Sequence, residues 1–213
     1  MTVKDNLDKI KAQIPIDVAI LAVIKNIPLP KICEAIDAGL AILGENRIQE
    51  AEERNQLIRE KYPSIKIHFI GHLQTNKIKQ ALSMFEVIES VDSYHLAEEL
   101  NKRAQKPLEV FIEVNTSGEA SKYGINPEEA MGLIRKVSVL PNLKLTGLMT
   151  IGALAENEAK VRECFNKLKQ IRDEANSKGY IGVRHLSMGM SHDFSLAIDE
   201  GSDIIRLGRA LFN

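Results

Sequence analysis

The chain has 213 residues, 44% of them hydrophobic, which is enough for one sizeable core. Its 28 Lys and Arg nearly cancel its 29 Asp and Glu, so bulk charge gives no reason to expect nucleic acid or an anionic membrane as the main partner. Cys33 and Cys164 lack metal-type spacing and suit free thiols in a reducing compartment. Met1 to Ala12 has no apolar signal core, and no apolar run nears the roughly 20 residues that span a bilayer, so a cytoplasmic, soluble protein is expected.

The first segment reads as a helix, with Leu7, Ile10 and Ile14 at helical spacing before Pro15. Val18 to Ile24 is a continuous apolar run of strand length that ends at Lys25. Such a run suits a strand covered on both faces, as in a parallel sheet. Pro28 and Pro30 open a helix carrying Ile32, Ile36 and Leu40 on one side. Further strand-like runs follow at Ala41–Leu43, Lys66–Ile70, Val87–Ile88, Val110–Val114, Leu145–Met149, Val183–Leu186 and Ile204–Leu207. Helical stretches separate them at Arg47–Glu60, Thr75–Leu82, Ser93–Arg103, Pro127–Val137, Asn157–Ser177 and Asp193–Glu200. Eight strands alternating with helices, with no linker or composition shift, predict an α/β fold. It is a single (β/α)8 TIM-type barrel domain over residues 1–213, with an extra N-terminal helix.

In such a barrel the functional groups come from the carboxyl ends of the strands and the loops after them. Lys25 ends the first strand, where a desolvated amine could do Schiff-base chemistry or the ammonium could snorkel into water. The loops after strands seven and eight are where barrels frequently bind phosphate. There Ser187-Met188-Gly189-Met190-Ser191 supplies small residues and hydroxyls before a helix beginning near His192, and Gly208-Arg209 adds close backbone approach and a cation. Ordinary strand-to-helix turns remain the other reading of each loop.

Arg206 lies inside an apolar strand, and a buried guanidinium needs a partner, either a ligand atom or a structural carboxylate. Glu113 and Asp203 are candidate mates. His68 and His72 straddle a strand end with no Cys or carboxylate cluster to complete a metal site, so His68 is expected to be a satisfied core or pocket-lining histidine. Lys77 and Lys79 read as solvated helix residues. Lys122 reads as a surface lysine, with a second amine near the pocket as the alternative.

Six segments, in order along nearly the whole chain, carry a resemblance. They are Gly44-Glu45-Asn46 to Glu50, His68 to Gln74, Val114 to Gly118, Gly147 to Gly152, Leu186 to Ser191 and Arg206-Leu207-Gly208. Together they resemble the pyridoxal 5′-phosphate (PLP) homeostasis proteins, a family similar to the barrel domain of alanine racemase (PLP fold type III) without its second, β-rich domain. The resemblance implies a role for each matching position. Lys25 would hold PLP as a Schiff base, with Asn46 near the cofactor. Ser187, Met188, Gly208 and Arg209 would hold the phosphate, and Arg206 would face the pyridine nitrogen. Ile24 and Asn26 depart from the family's small hydroxyl residue and Thr beside the lysine. If the strand alternation continues, both lie on the face opposite Lys25.

An arginine beside the pyridine nitrogen weakens the electron sink that PLP enzymes depend on, and the chain offers no obvious pair of opposed bases. The resemblance therefore implies a protein that carries or buffers PLP and influences vitamin B6 and amino-acid balance, with no turnover beyond transimination. The alternative is a PLP-dependent racemase or lyase of low activity. PLP-requiring apo-enzymes are the partners it implies, and a monomer is expected.

Overall fold

The computed structural model describes residues 2–153 and 157–213. Met1 lies outside the described residues, as does the side chain of Glu50, the last residue of the Gly44–Glu50 motif. Among the described residues eight parallel strands close into a barrel in chain order. They are β1 (Ala19–Val23), β2 (Ile42–Glu45), β3 (Lys66–Phe69), β4 (Val87–Val91), β5 (Leu108–Glu113), β6 (Leu143–Met149), β7 (His185–Ser187) and β8 (Ile204–Leu207). Closure is made by β1 against β8, with Leu21 opposite Arg206. The predicted TIM-type barrel is the fold observed.

The helices are α1 (Val3–Lys11), α2 (Leu29–Asp37), α3 (Ile48–Lys61), α4 (Ile78–Met84), α5 (Tyr94–Arg103), α6 (Pro127–Val137), α7 (Glu158–Ser177), α8 (Phe194–Asp199) and α9 (Arg209–Phe212). The stretch expected to be one helix from Thr75 begins instead as a 3-10 turn, Thr75–Lys77, before α4. Thr2 caps α1 reciprocally with Asp5, which satisfies amides the first turn leaves unpaired. Asn6 then donates to the carbonyls of Leu211 (3.1 Å) and Asn213 (3.0 Å), tying the first helix to the last.

Two hydrophobic layers result. The larger lies between the strands and the helices. The smaller, Leu21, Val87, Phe111, Met149 and Ile204, fills the barrel lumen. Gly147 makes room for it: a Cβ there would meet the Phe111 ring at 2.7 Å. Because strand side chains alternate, these lumen positions identify which further residues point inward. Toward the carboxyl ends they are His68, Glu89, Glu113, Ser187 and Arg206.

Candidate functional site

Lys25 lies two residues past the end of β1, in an exposed turn. The strand expected to end at Lys25 stops at Val23, because Asn26 takes a left-handed backbone (φ 58°) that no strand accommodates. Asparagine tolerates that conformation, so its presence after the lysine has a backbone reason. The expectation that Ile24 and Asn26 share one strand face fails for the same cause: Ile24 is buried, and Asn26 is exposed in the turn. Among the described residues no hydrogen bond or ion pair engages the Lys25 amine.

Beneath this mouth a polar network crosses the lumen. Glu89, fully buried, accepts from Ser187 Oγ at 2.6 Å and lies 2.6 Å from His68 Nδ1. Arg206 donates to Ser187 O (2.6 Å) and Ser187 Oγ (2.9 Å) through Nη1, and to Thr150 O (2.7 Å) through Nη2. Thr150 Oγ1 reaches Val114 O at 2.7 Å and Thr116 Oγ1 at 2.9 Å. The chain of contacts thus links the ends of β3, β4, β5, β6, β7 and β8. His68 is the satisfied core histidine its sequence context predicts.

The charges explain the arrangement. Burial pushes the Glu89 carboxyl up, but the His68 bond, the nearby Arg206 charge and the Ser187 bond outweigh it and leave its pKa below the usual value. Glu113 is pushed up to about 7, first by burial and then by the charges of Asp92 and Glu89, with Arg206 opposing. Burial lowers the Arg206 pKa, against the attraction of Glu89, Glu113 and Asp193.

Arg206 is therefore joined to the Glu89 carboxylate through Ser187. Of its two expected mates, Glu113 contributes charge without a hydrogen bond. Asp203 is spent elsewhere, on His185 Nδ1 (3.0 Å) and the Leu186 amide (3.1 Å). It precedes β8 at the opposite end of the strand from the mouth, out of reach of a side chain three residues on.

The loops after β7 and β8 are joined to each other. Ser191 Oγ accepts from the Ala210 amide at 3.1 Å, and Asp193 Oδ1 accepts from the Met190 amide at 2.5 Å. Gly189, at φ 93°, lets the chain turn against α8, where a Cβ would meet Ala197 at 2.6 Å. Met188 is buried with its amide on Ile204 O, and α8 starts at Phe194 after a turn through His192. Among the described residues the amides of Gly189, Ser191, Gly208 and Arg209 find no acceptor. The Ser187 hydroxyl, in contrast, is committed to Glu89 and Arg206.

Asn46 is half-buried at the end of β2. Its amide donates to Glu45 Oε1 at 2.9 Å, while its buried Oδ1 has no partner among the described residues. Glu45 is itself paired with Arg54. Lys122 is no plain surface lysine: its amine donates to Gly152 O (2.7 Å) and Glu119 Oε1 (2.8 Å). The next residue, Tyr123, stacks on His72 with ring centroids 3.9 Å apart. Lys77 is half-buried and Lys79 exposed. Among the described residues no group of three or more His, Cys, Asp or Glu could hold a metal ion, and no helix is long and apolar enough to cross a membrane.

Glu89 and Thr150 are the residues that sequence reasoning passed over. The apolar run in the sequence, Val87-Ile88, stops where the charge begins, yet β4 continues through Glu89 to Val91. A charged residue inside an apolar strand was the available signal, the same one that singles out Arg206.

A closed parallel barrel with a buried cation under a lysine-bearing mouth defines the class: the family model for the alanine racemase N-terminal domain matches residues 2–213. Alanine racemase from Clostridium difficile shares the fold at 18% identity and a TM-score of 0.84, with this chain covering 56% of that one. Closer likeness is to the pyridoxal phosphate homeostasis protein of Aquifex aeolicus, 42% identical over 91% of this chain and 85% of that protein. The mouse protein of the same name is 37% identical over 91% of this chain and 75% of its own length. PipY of Synechococcus elongatus, solved with PLP bound, matches at 31% identity and a TM-score of 0.91, with both chains covered in full. The chain belongs to the pyridoxal phosphate homeostasis protein family.

Proposed function

We propose that residues 1–213 act as one PLP-binding barrel domain that carries or buffers PLP, held as a Schiff base on Lys25, and so influences vitamin B6 and amino-acid balance. The observation that carries this reading is the end-to-end match to PipY, whose structure was solved with PLP bound.

The residues present fit the group. An exposed amine without a partner at the mouth suits covalent capture of an aldehyde. The buried, unpartnered Asn46 Oδ1 has acceptor capacity left for a hydroxyl or water at a bound ligand. The open amides of Gly208 and Arg209, with those of Gly189 and Ser191, suit phosphate oxygens, and Arg209 adds an exposed cation. Met188 would contribute by packing the wall of that loop. Ser187, its hydroxyl already committed, would serve less by meeting the phosphate than by holding Arg206 through its hydroxyl and carbonyl oxygens.

PLP, when bound, supplies an electron sink whose strength depends on the group beside its ring nitrogen. In that place Arg206 remains a cation and withholds the proton a carboxylate would stabilise. That favours holding the cofactor over turning over a substrate. The recipients would be PLP-requiring apo-enzymes, and the protein would work as a cytoplasmic monomer.

Borohydride reduction followed by mass spectrometry tests the anchor. The wild type should carry a PLP adduct on Lys25 that Lys25→Ala lacks, and an unchanged adduct in the variant overturns the assignment. One observation favours a second reading, a racemase or lyase of low activity: Glu113, a buried carboxyl near neutrality, could move a proton in the lumen. Steady exchange of the α-hydrogen of single L-amino acids in deuterated water would establish that reading.

A further inference from the structure

We infer that Glu89 is a positioning residue for the cofactor site: through the Ser187 hydroxyl it fixes where the Arg206 guanidinium sits and how strongly its charge is felt at the mouth. The inference rests on the PLP-binding reading and adds to it a residue three strands away from β7.

The geometry admits one direction of donation. Ser187 has a single O–H, and the carboxylate at 2.6 Å can only accept it. The Ser187 oxygen is then left to accept from Arg206 Nη1 at 2.9 Å. Rotating that hydroxyl away from Glu89 would orphan a buried carboxylate oxygen and turn a proton toward the guanidinium. The second carboxylate oxygen is held by His68 at 2.6 Å, so Glu89 cannot swing off. Arg206 is pinned on its other arm by Thr150 O at 2.7 Å. The guanidinium has five N–H groups, of which these contacts use three, leaving two donors in a fixed direction.

Charge follows the same route. Arg206, Glu89 and His68 are all buried, so their fields are weakly screened. The other titratable groups facing them are Glu113, Asp92 and Asp193, with His72 3.6 Å from Asp92. Of the carboxylates around Arg206, among the described residues, Glu89 alone joins it through a hydrogen-bonded atom. Neutralising Glu89 would leave the Arg206 charge less compensated, which disfavours a further positive charge at the Lys25 attachment.

The test uses the full chain loaded with PLP and follows visible absorption of the bound cofactor against pH in the wild type, Glu89→Gln, Ser187→Ala and the double variant. Glu89→Gln is expected to lower the midpoint of that titration by about one unit, the size expected of one nearby charge. Glu89→Asp should restore part of it. PLP retention should fall about tenfold in Ser187→Ala and little further in the double variant, since both changes cut one relay. A Glu89→Gln midpoint within about 0.2 units of wild type, far below the shift of a coupled charge, overturns the inference, as do fully additive losses. Circular dichroism and Tm report separately on folding, so a variant that is folded but spectrally unchanged counts against the inference. Failure of the wild type to bind PLP at Lys25 would instead sink the binding reading.

Discussion

Two sets of lumen side chains solve the same packing problem with opposite chemistry. Leu21, Val87, Phe111, Met149 and Ile204 fill part of the lumen with apolar side chains. Toward the carboxyl ends His68, Glu89, Glu113, Ser187 and Arg206 fill it with charges and hydrogen bonds. The apolar belt gains from every methylene it buries. The polar belt pays desolvation for each charge and recovers it only while all partners are present. The first therefore stabilises the barrel, and the second holds directional donors under the mouth.

The largest test of that contrast is Arg206→Leu. It should cost about 3–5 kcal/mol in urea unfolding, because Glu89 is left buried without its cation. Adding Glu89→Leu should recover most of that loss if the belt is kept for the site and not for stability. Leu21→Ala in the apolar belt should cost about 2–5 kcal/mol, with no second change able to restore it simply by removing a partner.

Glu113 gives a pH-resolved test. Its carboxyl titrates at about 7 when folded against 4.5 ordinarily, so the folded chain holds the proton more tightly. Stability from this group is then lost as pH rises from about 4.5 to about 7. Glu113→Gln should raise stability at pH 8 by at most about 3 kcal/mol and leave it unchanged below pH 4, as read from Tm across pH.

The smallest effect belongs to His185, raised first by its bond to Asp203 and about half exposed. The contribution of that pair is full below pH 6.5 and fades as pH rises through the raised value. After solvent screening it should amount to a few tenths of a kcal/mol, and His185→Gln should abolish the dependence.

Much of this could be read from the chain. All eight strands were marked by short apolar runs, because a strand walled on both faces has no polar side to alternate with. Lys25, Arg206 and the two glycine-containing loops stood out as polar groups at strand ends. Asp203 misled because it adjoins an apolar run, and adjacency in sequence says nothing about which barrel end a side chain occupies. Lys122 misled because its fixed position comes from Gly152, thirty residues away.

The sequence by itself determined the strand–helix alternation, the family, and the lysine and loops at the mouth. These are local signals, written in periodicity and short motifs. Only the tertiary structure decided that Glu89 faces Ser187 across ninety-eight positions of chain. It also decided that Arg206 spends three donors on β7 and β6, and that Asn26 turns Lys25 out of its strand. Barrel closure brings distant inward-facing positions within hydrogen-bond reach, and no local pattern encodes which of them will meet.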